Sequence, residues 1–328
     1  MKGPEEDDKL ELLGSIDTNP SYGHYPDARP LELLLDTGMI VLDKPNGPTS
    51  HQVVSWIKNI LEIEKAGHHG TLDPNTTGVL PVALGKAVRM LDLTLEEGKE
   101  YAALMHLHRK VPKENLQAVL SDFTGRIYQM VPVRSAVKRR LRERTIEYMK
   151  VLDRKENDVL LLIGCESGTY IRTLIHDMGE VLGVGANMIE LRRTRSGSLE
   201  HNECVTLQQV KDAWVHYQET GSEDLLRKVI IPSENLLRRI PKIYVKDSTV
   251  DAVCHGAPLG KPGISAVDRT ICKGCTVAVL SLKGEAVAVG KAMMDFKEMI
   301  SGGRGMSVKV DRVIMEPGTY PRAWKKRS

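Results

Sequence analysis

A short loop with one carboxylate and two imidazoles is the stretch of this sequence best suited to chemistry. It reads Gly67-His68-His69-Gly70-Thr71-Leu72-Asp73-Pro74. Its two glycines permit backbone angles that other residues avoid, and they let another molecule come close to the main chain. Pro74 fixes its own φ and disfavours helix at Asp73. The loop can therefore present Asp73 for catalysis, although an aspartate that merely caps a surface turn would give the same pattern.

Strands and helices on both sides of the loop must hold it in place. Upstream, residues 39–43 are predicted to be a strand that ends in a turn rich in proline and glycine at residues 44–48. Thr49 and Gln52 then form a capping box at the start of a helix whose apolar residues recur at helical spacing. Downstream, residues 79–93 are predicted to be a strand followed by a helix.

The remaining elements of this first domain follow the same two periodicities. We predict strands at residues 99–108 and 188–195, a hairpin of residues 144–152 and 159–165, and helices at residues 113–123 and from Gly168 onward. Residues 206–237 are predicted to be mostly helical. The domain therefore combines strands and helices.

Length and composition indicate a soluble globular chain with two domains. The chain has 328 residues, of which 41% are hydrophobic and 27% charged. Beyond Arg238, short strands rich in valine and glycine are typical of a small β-barrel. We therefore predict an N-terminal extension at residues 1–36 that packs on another domain, a catalytic domain at 37–238, a barrel domain at 239–318 and a basic tail at 319–328.

Charge and cysteine content indicate the compartment of the protein and the kind of partner it binds. The net charge is only +3, yet basic residues cluster at 138–144, 192–195 and 322–327, where they can contact phosphates locally. No apolar run reaches the ~20 residues needed to cross a bilayer. The N-terminus is acidic without an apolar signal core, and the five cysteines, an odd number, suit a reducing compartment. We expect a cytoplasmic protein, or a nucleolar one if the source is eukaryotic.

Five motifs occur in order along the first domain. They are Val41-Leu42-Asp43-Lys44-Pro45-Asn46-Gly47-Pro48-Thr49-Ser50, the loop at residues 67–74, Lys99-Glu100-Tyr101, Gly168-Thr169-Tyr170-Ile171-Arg172 and Leu191-Arg192-Arg193. Together they resemble the TruB family of pseudouridine synthases over residues 39–195.

The two ends of the chain extend this resemblance. His255-Gly256-Ala257-Pro258-Leu259 and the motifs that follow it resemble a PUA domain, a small RNA-binding barrel. The extension, with Asn19–Gly23 and Arg29-Pro30, resembles the archaeal and eukaryotic (dyskerin-like) branch, which is the catalytic subunit of the box H/ACA ribonucleoprotein. The resemblance implies an α+β fold, with a mixed, largely antiparallel sheet, flanking helices and a small C-terminal β-barrel.

The family's reaction breaks the N-glycosidic bond of uridine, rotates the base and rejoins it through C5, and it implies no metal or other cofactor. The resemblance assigns the catalytic carboxylate to Asp73, as nucleophile or electrostatic stabiliser. It makes Arg172 a guanidinium clamp beside that carboxylate, and Tyr101 the aromatic ring that stacks on a flipped base. A solvated helix arginine and a core tyrosine are the plainer interpretations of these two residues.

The resemblance also implies contacts to RNA. The substrate-binding candidates are His68, Lys44, Pro45, Leu191, Tyr170, Lys138 and Arg139, and the guide-RNA-binding candidates are Gly256, Ala257 and Leu259. Lys44 and Pro45 either shape the floor of the pocket or support the turn, and Leu191 is either an apolar wall of the pocket or part of the core. Lys138 and Arg139 fall where the family has a loop that closes over substrate RNA.

The implied function is pseudouridine formation in ribosomal RNA or tRNA, directed by an H/ACA guide RNA. Its implied protein partners are a Nop10-like protein, a Gar1-like protein and an L7Ae-like kink-turn protein. Two alternatives stay open: a stand-alone synthase for uridine 55 of tRNA, and an RNA-binding scaffold with an inactive site.

Two features stand apart from the family pattern. His69 occupies a position that is small and polar in relatives, where a second imidazole either crowds the loop or adds an RNA contact. Cys272 and Cys275 have the spacing of half a zinc site. Because no second pair has finger-like spacing, we expect reduced thiols and no metal.

Overall fold

The strands expected on both sides of the Asp73 loop are present and belong to one sheet. The structure, a computed structural model, describes residues 9–94, 98–131 and 140–323. The chain divides into two compact units, residues 39–229 and residues 9–38 together with 230–323. Each unit has its own sheet and its own apolar core.

The elements are numbered along the chain. The strands are β1 Leu10–Leu12, β2 Gly38–Lys44, β3 Ala66–His68, β4 Thr76–Leu84, β5 Lys99–Leu107, β6 Gly125–Met130, β7 Leu141–Lys155, β8 Asp158–Cys165, β9 Ala186–Ser196, β10 Leu199–Glu200, β11 Ile231–Pro232, β12 Lys242–Val245, β13 Leu259–Gly260, β14 Ile264–Asp268, β15 Thr276–Ser281, β16 Ala286–Ala292 and β17 Met306–Val313. The helices are α1 Leu31–Thr37, α2 Ser50–Leu61, α3 Lys113–Asp122, α4 Ile171–Val181, α5 Leu207–Thr220, α6 Leu226–Val229, α7 Asp247–Cys254 and α8 Phe296–Ile300. Segments of 3-10 helix occur at Pro26–Ala28, Gly85–Thr94, His201–Glu203, Ser233–Leu237 and Lys261–Gly263.

The sheet of the catalytic unit has the strand order β2-β4-β9-β5-β8-β7-β6. Strands β4 and β9 run parallel, whereas the other neighbours in this order run antiparallel. Strand β3 pairs with β4, and β10 pairs with β9. The predicted mixed, largely antiparallel sheet with flanking helices is confirmed.

Local sequence signals explain the element that precedes the loop. The Thr49 hydroxyl accepts from the backbone N–H of Gln52 at 3.1 Å, and the Gln52 side chain accepts from the N–H of Thr49 at 2.7 Å. This capping box supplies hydrogen-bond acceptors for N–H groups that the start of a helix leaves unpaired. Val53 and Ile57 lie on the buried face of α2. The predicted capping box is confirmed.

Apolar side chains from β5, β8 and α4 form the core behind the sheet. Met105, Leu161 and Leu174 are fully buried in this cluster. Burying a side chain of this size contributes about 1.5–3 kcal/mol relative to leaving it exposed. The core therefore fixes α4 against the strand that carries Tyr101.

The second unit is a barrel-like sheet with the strand order β1-β14-β12-β15-β16-β17-β13. The N-terminal extension contributes β1, which pairs with β14, and it contributes Arg29, which is 6% exposed. The Arg29 guanidinium donates to both carboxylate oxygens of Glu234, at 2.9 and 2.5 Å. Glu234, which is 2% exposed, also accepts from the backbone of Ala286 at 3.0 Å. Contacts within the chain group residues 230–238 with the barrel unit, and the domain boundary at 238 stays a prediction.

The helices of the described part of the chain are too short or too polar to cross a membrane.

Candidate active site

Asp73 projects from the loop between β3 and β4 with its side chain exposed to solvent. Its backbone carbonyl accepts from the N–H of Thr76 at 3.0 Å, which closes the turn that leads into β4. Gly70 has a φ of +64°, and a Cβ built there would lie 3.0 Å from Nη1 of Arg193. The glycine therefore lets the loop bend closely over a buried guanidinium.

Lys44 braces the loop from behind. Its side chain is fully buried, and its Nζ donates to the backbone carbonyls of Pro45 at 2.9 Å, Pro74 at 3.0 Å and Thr76 at 3.0 Å. Burial lowers the pKa of Lys44, and the Asp73 carboxylate opposes this shift. Since its three donor hydrogens all face carbonyls, Lys44 supports the turn, and the direct substrate contact expected of it stays a prediction. Pro45 beside it is exposed.

A second brace holds the loop on the other side of Asp73. The hydroxyl of Ser50, the first residue of α2, donates to the carbonyl of Leu72 at 3.0 Å and accepts from its N–H at 2.9 Å. The N–H of Gly47 donates to the carbonyl of Pro74 at 3.0 Å. The backbone is thus fixed immediately before and after the carboxylate, which is the preorganisation that a catalytic group needs.

Tyr101 and Arg193 face each other across β5 and β9. They are paired in the register of the two strands, and the charge of the Arg193 guanidinium lies near enough to Tyr101 to oppose the rise in its pKa. Burial raises the pKa of Tyr101 and lowers that of Arg193. Arg193 is 1% exposed, and its Nε donates to the carbonyl of Val79 at 2.7 Å. The aromatic ring expected to stack on the base therefore lies beside a buried cation.

The guanidinium buried next to the loop is that of Arg193 rather than Arg172. Arg172 lies in the first turn of α4 with an exposed side chain, and within residues 9–94, 98–131 and 140–323 no ion pair joins it to Asp73. Both side chains point into solvent, so the predicted clamp is not formed in this structure. Sequence reasoning included Arg193 in a motif but assigned it no role. Alternation along β9, which puts residues 191, 193 and 195 on one face, is the signal that could have placed Arg193 at the site.

The basic cluster at residues 192–195 is largely engaged within the protein. Arg192 forms a bidentate ion pair with Asp43, in which Nη1 donates to Oδ1 at 3.0 Å and Nη2 donates to Oδ2 at 2.9 Å. Arg193 is buried, and Arg195 donates to the carbonyl of Gly197 at 3.3 Å. Phosphate contacts by this cluster stay a prediction; the structure shows protein partners for Arg192 and Arg195 and burial of Arg193.

Two neutral imidazoles lie next to the Asp73 loop. The ring of His68 meets that of His51 edge to face, with centroids 4.8 Å apart. Among the described residues, both ring nitrogens of His68 and Nε2 of His69 are buried without a hydrogen-bond partner. Burial lowers the pKa of His68, and it lowers the pKa of His69 to about 4. Both rings are therefore uncharged at neutral pH, and these three ring nitrogens are enclosed by the protein.

The other candidates fall into three groups. Tyr170, half-buried, directly precedes α4, and Leu191, also half-buried, packs against the core of the catalytic unit. In the barrel unit, Gly256 is exposed and Ala257 is half-buried, but Leu259 is fully buried in the barrel core. The prediction of a surface role for Leu259 is wrong, because its side chain packs inward from β13. Lys138 and Arg139 lie outside the described residues.

Comparison with known proteins identifies the family. Residues 58–171 match the model of the TruB family pseudouridylate synthase N-terminal domain, and residues 172–238 match the tRNA pseudouridylate synthase B C-terminal domain. Residues 241–314 match the PUA domain, and residues 5–54 match the DKCLD (NUC011) domain.

Relatives and solved structures match along nearly the whole chain. A probable tRNA pseudouridine synthase B of Methanopyrus kandleri is 50% identical, over 98% of this chain and 95% of that protein. The corresponding protein of Pyrococcus furiosus is 51% identical, over 98% and 96%. A chain in an H/ACA ribonucleoprotein bound to a substrate RNA containing 2'-deoxyuridine has a TM-score of 0.90 at 46% identity, covering 98% of this chain and 99% of that one. A chain of a Cbf5-Nop10-Gar1 complex has a TM-score of 0.89 at 48% identity, with 98% of both chains covered.

The chain therefore belongs to the TruB family of pseudouridine synthases, and it carries a C-terminal PUA domain. The predicted enzyme class is confirmed.

Proposed function

We propose that this protein is the catalytic subunit of an H/ACA ribonucleoprotein and converts guide-selected uridines of ribosomal RNA to pseudouridine. The observation that carries the proposal is the match, at a TM-score of 0.90, to a chain that belongs to an H/ACA ribonucleoprotein with bound substrate RNA. That match covers 98% of this chain, so it includes the N-terminal extension and the barrel as well as the catalytic unit.

In the proposed mechanism, Asp73 is the group that acts on the extruded nucleotide. The N1–C1′ bond breaks, the uracil ring turns, C5 bonds to C1′, and the proton leaves C5 while N1 gains one. An ionised carboxylate next to the ribose stabilises the positive character of C1′, either through space or as a nucleophile. Lys44 and Ser50 hold the backbone on both sides of Asp73, so the carboxylate needs little reorganisation during the reaction.

The pocket around the uracil is proposed to use the remaining site residues. Tyr101 supplies a stacking face beside the buried Arg193. Tyr170 and Leu191 line the apolar side, and the half-buried His68 contacts the RNA backbone. Arg172 pairs with Asp73 once RNA has displaced the water around these exposed side chains, because an ion pair gains strength when it is desolvated.

The proposal includes protein partners and a second RNA surface. The matched structures contain Nop10 and Gar1, which supports a Nop10-like and a Gar1-like partner for this chain. An L7Ae-like protein bound to the guide RNA completes the proposed particle. Gly256 and Ala257, next to the C-terminal end of α7, are the proposed guide-RNA contacts of the barrel unit.

A stand-alone tRNA synthase is the second candidate, favoured by the names of the relatives that match along 98% of the chain. The two functions differ in their need for a guide. Pseudouridine formation would be mapped on ribosomal RNA and on tRNA, with the protein alone and with the protein, its partners and a guide RNA. The proposal predicts modification of ribosomal RNA at the guide-paired uridine only when the guide is present. The second candidate would be established instead if the protein alone converts tRNA strongly and does not modify ribosomal RNA even when a guide is present.

A further inference from the structure

A buried glutamine lies where the alternation of β6 calls for an apolar residue. Ile127 and Gln129 are the inward-facing buried residues of this strand, and Gln129 is only 2% exposed. A buried amide is destabilising unless its donor and acceptor are both satisfied. The partners of Gln129 therefore show what this residue does.

Both partners of Gln129 belong to one residue, Tyr170. The Gln129 Nε2 donates to the carbonyl of Tyr170 at 3.1 Å, and the N–H of Tyr170 donates to Oε1 of Gln129 at 3.0 Å. Tyr170 is the N-cap of α4, and its own side chain makes no capping hydrogen bond. The amide of a distant strand thus fixes the peptide groups on both sides of the Tyr170 Cα.

The neighbouring strand secures the same turn. Arg144 of β7, which pairs with Ile127 of β6, donates from Nε to the carbonyl of Gly168 at 3.0 Å and from Nη1 to Glu166 at 3.0 Å. Gly168 has a φ of +83°, and a Cβ there would lie 3.0 Å from Nη2 of Arg144. Both strands of the β6–β7 hairpin therefore hold the backbone of residues 166–170.

We infer that Gln129 is a positioning residue for pseudouridine formation, which sets Tyr170 and Arg172 against the reacting nucleotide. The Asp73 loop has its own braces, whereas Arg172 has no ion pair with Asp73 among the described residues to hold its side chain. Its position therefore depends on where the backbone of α4 begins, and Gln129 determines that point. The inference rests on the proposed roles of Tyr170 and Arg172 in the active site.

The test uses two replacements of Gln129 and one matched control. Gln129→Met keeps the length of the side chain but removes both hydrogen bonds. Gln129→Glu keeps the acceptor for the Tyr170 N–H, and it regains a donor for the Tyr170 carbonyl only when it is protonated. Tyr128→Phe, at an exposed position of the same strand, is the control. Single-turnover rates would be measured for the full protein assembled with its partners, a guide RNA and a substrate RNA with one target uridine, from about pH 6 to about pH 8.5.

The expected result is a loss in rate without a loss in binding. Gln129→Met should slow the chemical step by about 10- to 100-fold, the cost of a small misplacement of a catalytic group, while KM for substrate RNA stays unchanged. Gln129→Glu should be slow at high pH and recover as the pH falls, because a buried carboxyl facing a carbonyl resists ionisation. The wild-type rate and the Tyr128→Phe rate should not show this recovery.

The outcomes separate the inference from the proposed function. An inactive wild-type assembly would overturn the proposed function. An active wild type, with Gln129→Met equally fast, or with Gln129→Glu following the wild-type pH profile, would overturn the positioning role alone. If Gln129→Met fails to fold, the pH profile of Gln129→Glu decides, with circular dichroism recorded at each pH, since a rate that falls while the fold is retained cannot come from unfolding.

Discussion

Replacing His69 by asparagine should make the protein less sensitive to acid. The pKa of His69 is lowered from 6.5 to about 4, chiefly by burial, so the folded protein holds the ring neutral in a pH range where the unfolded chain protonates it. As the pH falls through about 6.5, the unfolded state takes up a proton that the folded state does not, and the free energy of unfolding falls. Asparagine does not titrate and therefore removes this loss.

The size of the effect follows from the shift. A full shift from 6.5 to about 4 corresponds to at most about 3 kcal/mol, reached only below pH ~4. Between pH ~7.5 and pH ~5 the same shift gives about 2 kcal/mol, and partial solvent exposure of the ring reduces it to about 1–2 kcal/mol. Wild-type protein should lose that much more stability over this interval than His69→Asn.

Urea unfolding at the two pH values measures the difference directly. Tryptophan fluorescence would report on the catalytic unit through Trp56 and Trp214, with Trp324 replaced by phenylalanine in every variant. His176→Asn is the matched control, because its side chain is 66% exposed and it belongs to the same unit. An equal loss of stability on acidification in wild type and His69→Asn would refute the claim that His69 is held neutral by burial.

Two further changes test the scaffold around the site, and a third tests the barrel unit. Lys44→Met removes three hydrogen bonds to loop carbonyls, so the free energy of unfolding in urea should fall by about 1–3 kcal/mol. The single-turnover rate should also fall while RNA affinity is retained. An unchanged rate would contradict the supporting role of Lys44. Gly78→Ala should lower the free energy of unfolding by about 3 kcal/mol or more, because φ is +102° and the new Cβ would lie 2.1 Å from the carbonyl oxygen of Arg193. A melting temperature equal to that of the wild type would refute this. Glu234→Gln removes the carboxylate charge that forms a two-bond ion pair with buried Arg29, so unfolding of the barrel unit should become easier by about 3–5 kcal/mol. A loss below about 1 kcal/mol would mean that the pair is not effectively buried.

Local signals in the sequence predicted the elements well. The Thr49–Gln52 capping box involves residues three apart, so it could be read without knowing the rest of the fold. The helix that begins at Ile171 and the long strands β5 and β9 were predicted from periodicity in the same way. The order of motifs then identified Asp73 as the candidate carboxylate.

Features that depend on long-range contacts were missed or misjudged. The three carbonyls around the Lys44 ammonium come from residues 45, 74 and 76, which only the folded loop brings together. Alternation along β9 marks the face of Arg193 but cannot show that Tyr101 and Gly70 cover it. Leu259 belongs to a strand of two residues, too short for its buried side to be recognised from alternation.

The most direct test of the catalytic account is the Asp73→Asn variant. Asparagine keeps the size of the side chain and removes its charge, and Asp122→Asn, an exposed carboxylate at the end of α3, serves as the matched control. Pseudouridine would be quantified after single turnover in the assembled complex, alongside the affinity for substrate RNA. The account predicts that Asp73→Asn forms no pseudouridine above background while it binds RNA as wild type does, and that Asp122→Asn is fully active. Undiminished turnover by Asp73→Asn would contradict it.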